Sequence, residues 1–419
     1  MNILIRKAYI QDPSSPFHGT VKDIQIVDGR IRSVEDHIEQ NDSQVVNAEA
    51  LHVSQGWVDI FADFSDPGYE HKESLETGAF AAAAGGFTHV FLVPNTSPAI
   101  HSKSQVEYIV EKSRRLPVAL HPIGAITRNT EGKELAEMYD MKLYEALAFS
   151  DGFNAIQSAG LLIKALQYVK AIDSVVIQIP DDRSINPGGL MNEGVVSTRL
   201  GLPGKPSMAE EIMVARDIKL ARYTESKLHL AGISSAKSLE YIRRAKEGGI
   251  QVTCSVTPYH LYFTDEDLVT YDTNLKVNLP LRTKKDAEAL MVGVLDGTVD
   301  CIATHHQPHE WDSKTCEFEY ARSGMIGLET CFGVLGKLGI GTERIVELLS
   351  AAPRRIFDLP QATIKIGAEA DLTLFQHNEE YVFTEDMIRS KSKNTAFTGH
   401  TLKGRVFGVV AKDGLYLNY

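Results

Sequence analysis

Four cysteines stand among 419 residues, Cys254, Cys301, Cys316 and Cys331, and no two form a Cys-x-x-Cys pair. That spacing points neither to a zinc ribbon nor to a disulfide framework. The expectation is buried structural thiols in a reducing compartment, hence the cytoplasm. No apolar run approaches the roughly 18 residues that a membrane span needs. The opening MNILIRKAYIQD has no uninterrupted apolar stretch and no small-residue cleavage site, so a first β-strand is expected there rather than a signal peptide. Positive charge is short as well. With 43 basic and 55 acidic residues the net charge is −12, which speaks against nucleic-acid or anionic-membrane binding. No Gly-x-Gly-x-x-Gly occurs, and the GLPGKPS stretch at 201–207 fails the spacing of a phosphate cradle. A proline-bearing loop is expected there instead.

What remains is ordinary globular material, 43% hydrophobic and 23% charged, enough to bury a large core. Both ends of the chain read as short β-branched strands, at 3–9, 23–27 and 31–34 and again at 371–375 and 404–411. The economical expectation is one small β-domain made from residues 1–53 plus 362–419, with a larger domain, 54–361, inserted between them. The middle alternates strand and helix. Strands are predicted at 57–64, 88–93, 118–123, 146–149, 175–179, 228–231, 251–256 and 301–304. Helical periodicity fills most intervals, as at 74–84, 209–221, 236–246 and 284–295. Eight such units suit a (β/α)8 TIM barrel, with an open doubly wound sheet as the alternative. A barrel carries its chemistry where its strands end. Those ends hold Asp63, Asn95, Asp151, Gln178, His229, His260, His305 and His309.

Several longer stretches carry a resemblance: TGAFAAAAGGFTHVFLVPNTSP at 77–98, GGLMNEGVVSTRLGLPGKP at 188–206, NLKVNLPLRT at 274–283, GLET at 327–330 and SKSKNTAF at 390–397. With them, the chain is similar end to end to the dihydroorotase family of the cyclic amidohydrolases. The resemblance implies a metal-bearing (β/α)8 barrel with a β-sandwich made from both termini. It implies zinc-assisted opening of a cyclic amide, or closure of carbamoyl aspartate in reverse, with an aspartate moving the proton.

Placed on that pattern, the family's His-x-His pair falls on Phe61 and Asp63, and its strand-four aspartate is present as Asp151. The strand-five histidine falls on Gln178, the strand-six histidine on Gly232 and the catalytic aspartate on His305. Of the substrate-carboxylate contacts, the arginine falls on Ser65, while Asn95 and His309 match. Asn278 matches a residue near the ring. Phe61 and Gly232 offer no donor atom, and a glutamine amide is a poor zinc ligand. The expectation is therefore a family member without metal and without dihydroorotase activity. The resemblance implies aspartate transcarbamoylase as a partner, and further copies of this chain are a second possibility. Two alternatives stand beside it. One is a divergent hydrolase of cyclic amides whose zinc sits on Asp63, Asp151 and His305. The other is a metal-free binder of a pyrimidine precursor through Asn95, Asn278 and His309. Asp59 is expected to brace the end of strand one, Asp66-Pro67-Gly68 to form a turn, and Trp57 and Trp311 to serve packing.

Overall fold

A computed structural model describes residues 2–40 and 43–418. Positions 1, 41, 42 and 419, all within the predicted terminal β-domain, lie outside the described residues. The chain begins with β1 (Asn2–Ile10), β2 (Val21–Val27), β3 (Arg30–Glu35), β4 (Gln44–Val46) and β5 (His52–Gln55). It then enters β6 (Trp57–Ala62), β7 (Phe87–Leu92), β8 (Ala119–Pro122), β9 (Ala148–Phe149) and β10 (Val175–Gln178). A short parallel pair follows, β11 (Met191–Asn192) and β12 (Gly204–Lys205), and then β13 (Leu228–Leu230), β14 (Val252–Val256) and β15 (Cys301–Ile302). It returns through β16 (Leu372–Val382), β17 (Thr401–Ala411) and β18 (Gly414–Leu417).

Strands from both ends share one sheet, ordered β18-β17-β16-β5-β1-β2-β3 with β4 paired to β1. Its period-two apolar residues, among them Ile3, Ile5, Ile24, Ile26, Val53 and Leu374, build a core of their own. β16 runs well past the predicted 371–375. Its outer half is polar and half-exposed, so no apolar run marks it, and a bulge between Gln376 and Glu380 interrupts the ladder with β17.

The middle is the predicted TIM barrel. β6, β7 and β8 form a three-stranded parallel set, and β15, β14, β13, β10 and β9 a five-stranded one. A parallel bridge between Gly124 and Phe149 joins the two sets on one side. On the other side the Asp63 amide donates to the His306 carbonyl at 2.8 Å. The Asp59 carboxylate also accepts the Thr304 amide and hydroxyl there, each at 2.8 Å. β6 is buried along its whole length, as a barrel strand covered on both faces must be. Helix Leu75–Ala84 starts with a capping box between Ser74 and Thr77 and buries Ala79, Ala81, Ala82 and Ala83. Gly78 on that helix is required by space, because a Cβ there would lie 2.6 Å from the Phe64 ring. Helices Met208–Thr224, Ala236–Glu247 and Lys284–Asp296 follow the predicted periodicity.

Stretch 201–207 is not simply a loop: it contains β12, and Lys205 there is buried. Cys254, Cys301 and Cys331 are buried, but Cys316 is only half-buried. Among the described residues no helix is long and apolar enough to cross a membrane.

Candidate functional site

The strand ends of the barrel bring Phe61, Gly232 and His305 into one packed unit. Phe61, at the end of β6, is fully buried, with its ring centroid 4.6 Å from that of His305 and 5.4 Å from that of Phe153. Gly232, just past β13, holds φ +70°, and a Cβ on it would stand 2.5 Å from the His305 ring. His305 itself adopts φ +47°. It is buried, and its Nε2 has no hydrogen-bond partner among the described residues. Burial, followed by the fields of His260 and His229, pushes its pKa down to about 3, so the imidazole is neutral.

The remaining polar positions are each turned onto a neighbour. Asp151 accepts the Thr127 amide at 2.8 Å and the Thr127 hydroxyl. Burial still raises its carboxyl to about 6, against the pull of those bonds. Asp63 accepts the Ser65 amide at 2.6 Å and the Ser65 hydroxyl at 3.3 Å, and burial raises its pKa as well. The Gln178 amide is spent on the Ile156 backbone, accepting its N–H at 3.4 Å and donating to its carbonyl at 3.3 Å. Asn95 donates to the Asp151 carbonyl at 3.1 Å and accepts the Phe153 amide at 2.9 Å. Asn278 reaches Asp181 at 3.5 Å, and Asp181 is paired with Lys205. His309 engages the Ser323 carbonyl through Nε2 at 2.8 Å, while its Nδ1 has no hydrogen-bond partner among the described residues. Burial lowers its pKa to about 4. Asp63, Asp151 and His305 do not converge. Among the described residues, no three His, Cys, Asp or Glu side chains form a group able to hold a metal ion.

Sequence reasoning missed the polar frame around this centre. Glu73 is fully buried and binds the Ser390 hydroxyl, the Thr77 hydroxyl and the Lys391 amide at 3.1 Å, and His306 Nε2 lies 3.6 Å from its carboxylate. Burial pushes its carboxyl up, but His306, Ser390 and Thr77 outweigh that and hold it below its ordinary value. Asn394 accepts the His309 amide at 3.0 Å and donates to the Gln307 carbonyl at 3.0 Å. The available signal was the 390–397 stretch itself, polar yet free of turn spacing. Arg282, also buried, binds Ser234, Asn192 and the Lys205 carbonyl. Trp57 is buried as expected, but Trp311 is not a packing residue: it is 75% exposed. In the same loop it is Phe318 that packs inward, in a buried apolar cluster. Phe64 packs edge-on to His306 and over Gly78, away from Phe61.

This architecture is that of the L-Hydantoinase (Dihydropyrimidinase) from Arthrobacter aurescens, with a TM-score of 0.86 at 20% identity over 99% of this chain and 96% of that one. The molecule thus has the amidohydrolase fold, a TIM barrel with a β-sandwich. Residues 52–238 match the Dihydro-orotase-like family. The chain is 40% identical over 411 residues to a dihydroorotase of Acetivibrio thermocellus, covering 97% of this chain and 96% of that protein. It is 42% identical over 413 residues to a dihydroorotase of Caldanaerobacter subterraneus subsp. tengcongensis, covering 97% and 95%. It belongs to the dihydroorotase family.

Proposed function

We propose that this chain is a noncatalytic member of its family. On this reading it takes no metal at the barrel mouth and serves as a cytoplasmic subunit of pyrimidine biosynthesis, supporting aspartate transcarbamoylase. One observation carries the first part: Phe61, Gly232 and His305 pack against one another where the family pattern calls for two ligands and the proton-transferring aspartate. A zinc pair does not fit these residues. Phe61 and Gly232 have no donor, the Gln178 amide is consumed by Ile156, and the carboxylates of Asp63 and Asp151 are held by Ser65 and Thr127. No catalytic step through a metal is assigned to them. The partner rests on the family resemblance.

The experiment is metal content by elemental mass spectrometry after incubation with micromolar zinc, alongside a dihydroorotate hydrolysis assay. Less than ~0.1 equivalent and no turnover are expected, since a working three-ligand site fills under those conditions. A full equivalent lost in Asp151→Ala would sink the reading. For the partner, co-sedimentation with the same organism's transcarbamoylase at micromolar concentration should give one complex. Two separate species would count against it.

A second reading is favoured by the relatives themselves. They are dihydroorotases 40–42% identical over nearly the whole chain, and near-full-length similarity of that order supports a hydrolase of cyclic amides; because Asp63, Asp151 and His305 form no metal-holding group in this structure, this reading requires a metal to draw those three together. It predicts stoichiometric metal and turnover of some cyclic amide. A third, metal-free binding of a small carboxylate, draws on the unpartnered Nδ1 of His309. It predicts saturable heat on titration with carbamoyl aspartate.

A further inference from the structure

The loop that leaves β15 folds into a braced lobe over residues 310–324. The Lys314 ammonium points inward and donates to the carbonyls of Arg322 at 2.8 Å and Gly324 at 3.0 Å. Lys276, from outside the lobe, donates to the carbonyls of Phe318 at 2.7 Å and Glu319 at 2.9 Å. The Arg322 amide closes back on the Ser313 carbonyl at 3.1 Å, and Phe318 anchors the middle in a buried apolar cluster. The backbone is therefore tied down at three places.

On the outside of this braced lobe stand two large aromatics, Trp311 at 75% and Tyr320 at 77% exposure. Tryptophan is among the most buried residues on average, and exposed aromatics on rigid backbone are the commonest binding anchors. They lose little conformational freedom when covered. The charge exposed around them is mostly acidic: Asp312, Glu317 and Glu319 stand against Arg322, while Glu310 faces His71 and Lys72, and Lys314 is spent inside. His71 of the loop after β6 reaches Glu310 at 3.9 Å, so the lobe stands beside the barrel mouth.

We propose that this lobe is a protein-docking surface. Its occupant is a partner protein that presents an apolar slot for Trp311 and Tyr320 inside a basic rim. The acidic border repels nucleic acid, and the chain's own charge of −12 disfavours a second copy. The inference rests on the reading of this chain as a subunit that holds a partner, and it assigns the surface used.

The test uses the full chain and the same organism's aspartate transcarbamoylase as the probe, with affinity measured by sedimentation and biolayer interferometry. W311A/Y320A should bind at least ~30-fold more weakly, as expected when two central aromatic anchors are removed. E317K/E319K should associate roughly tenfold more slowly and lose most of the salt dependence. Y223A, which removes an aromatic 73% exposed on helix Met208–Thr224, should bind as the unaltered chain does. If the unaltered chain binds and W311A/Y320A binds equally well, the lobe assignment is wrong and the subunit reading stands. If the unaltered chain does not bind, both fall.

Discussion

The centre of the barrel mouth and the frame of loops around it are held together in different ways. At the centre Phe61, Phe153 and His305 pack ring against ring, and the one polar side chain among them is a neutral imidazole with an idle Nε2. In the frame Glu73, Thr77, Ser390, Asn394 and the His309 amide make directed bonds that join the loop after β6, the loop after β15 and the segment before β17. Packing asks a residue for volume, whereas a buried polar network asks for specific partners in a specific geometry. The frame, and not the centre, therefore carries the specificity of the fold here.

The largest expected effect is on the frame. Glu73→Ala strands the Ser390 hydroxyl and the Lys391 amide in a buried site, and should cost about 3–5 kcal/mol in urea unfolding. A loss below ~1 kcal/mol would erase the contrast. The next is a pH effect at the centre. The folded pKa of His305 is depressed to about 3 from an ordinary 6.5. The unfolded chain therefore binds this proton first, and stability is lost as pH falls from about 6.5 toward 3. In a His305→Asn chain that loss is absent. The stability gap between the two chains should therefore shift in favour of the variant by about 2–3 kcal/mol between pH 7.5 and 4.5. A gap independent of pH would mean that His305 is solvated in the fold.

A smaller effect sharpens the fit between Gly232 and His305. Gly232→Ala meets both a left-handed backbone and the His305 ring, but in a His305→Ala background only the backbone penalty remains. A double-mutant cycle should give a coupling of about 1 kcal/mol or more, and additivity would separate the two residues. The smallest effect is on the outer surface. W311A/Y320A should leave the unfolding midpoint within ~0.5 kcal/mol of the unaltered chain, because neither side chain packs in the fold.

Much of this was legible along the chain. Alternating apolar segments marked the barrel strands, and paired β-rich ends marked the shared sheet, because both periodicities are local properties of neighbouring residues. That Phe61 and Gly232 carry no donor atom needed no fold to be read, since neither side chain can bind a metal in any conformation. The outer half of β16 was not legible: its residues are polar, and only pairing with β17 makes it a strand. Nor was the environment of each side chain. Ser390 meets Glu73 across 317 positions of sequence, and Trp57 and Trp311, chemically identical, end at 0% and 75% exposure. Burial, pairing and the neutral state of His305 depend on atoms that only the closed barrel brings together, and so they belong to the tertiary structure alone.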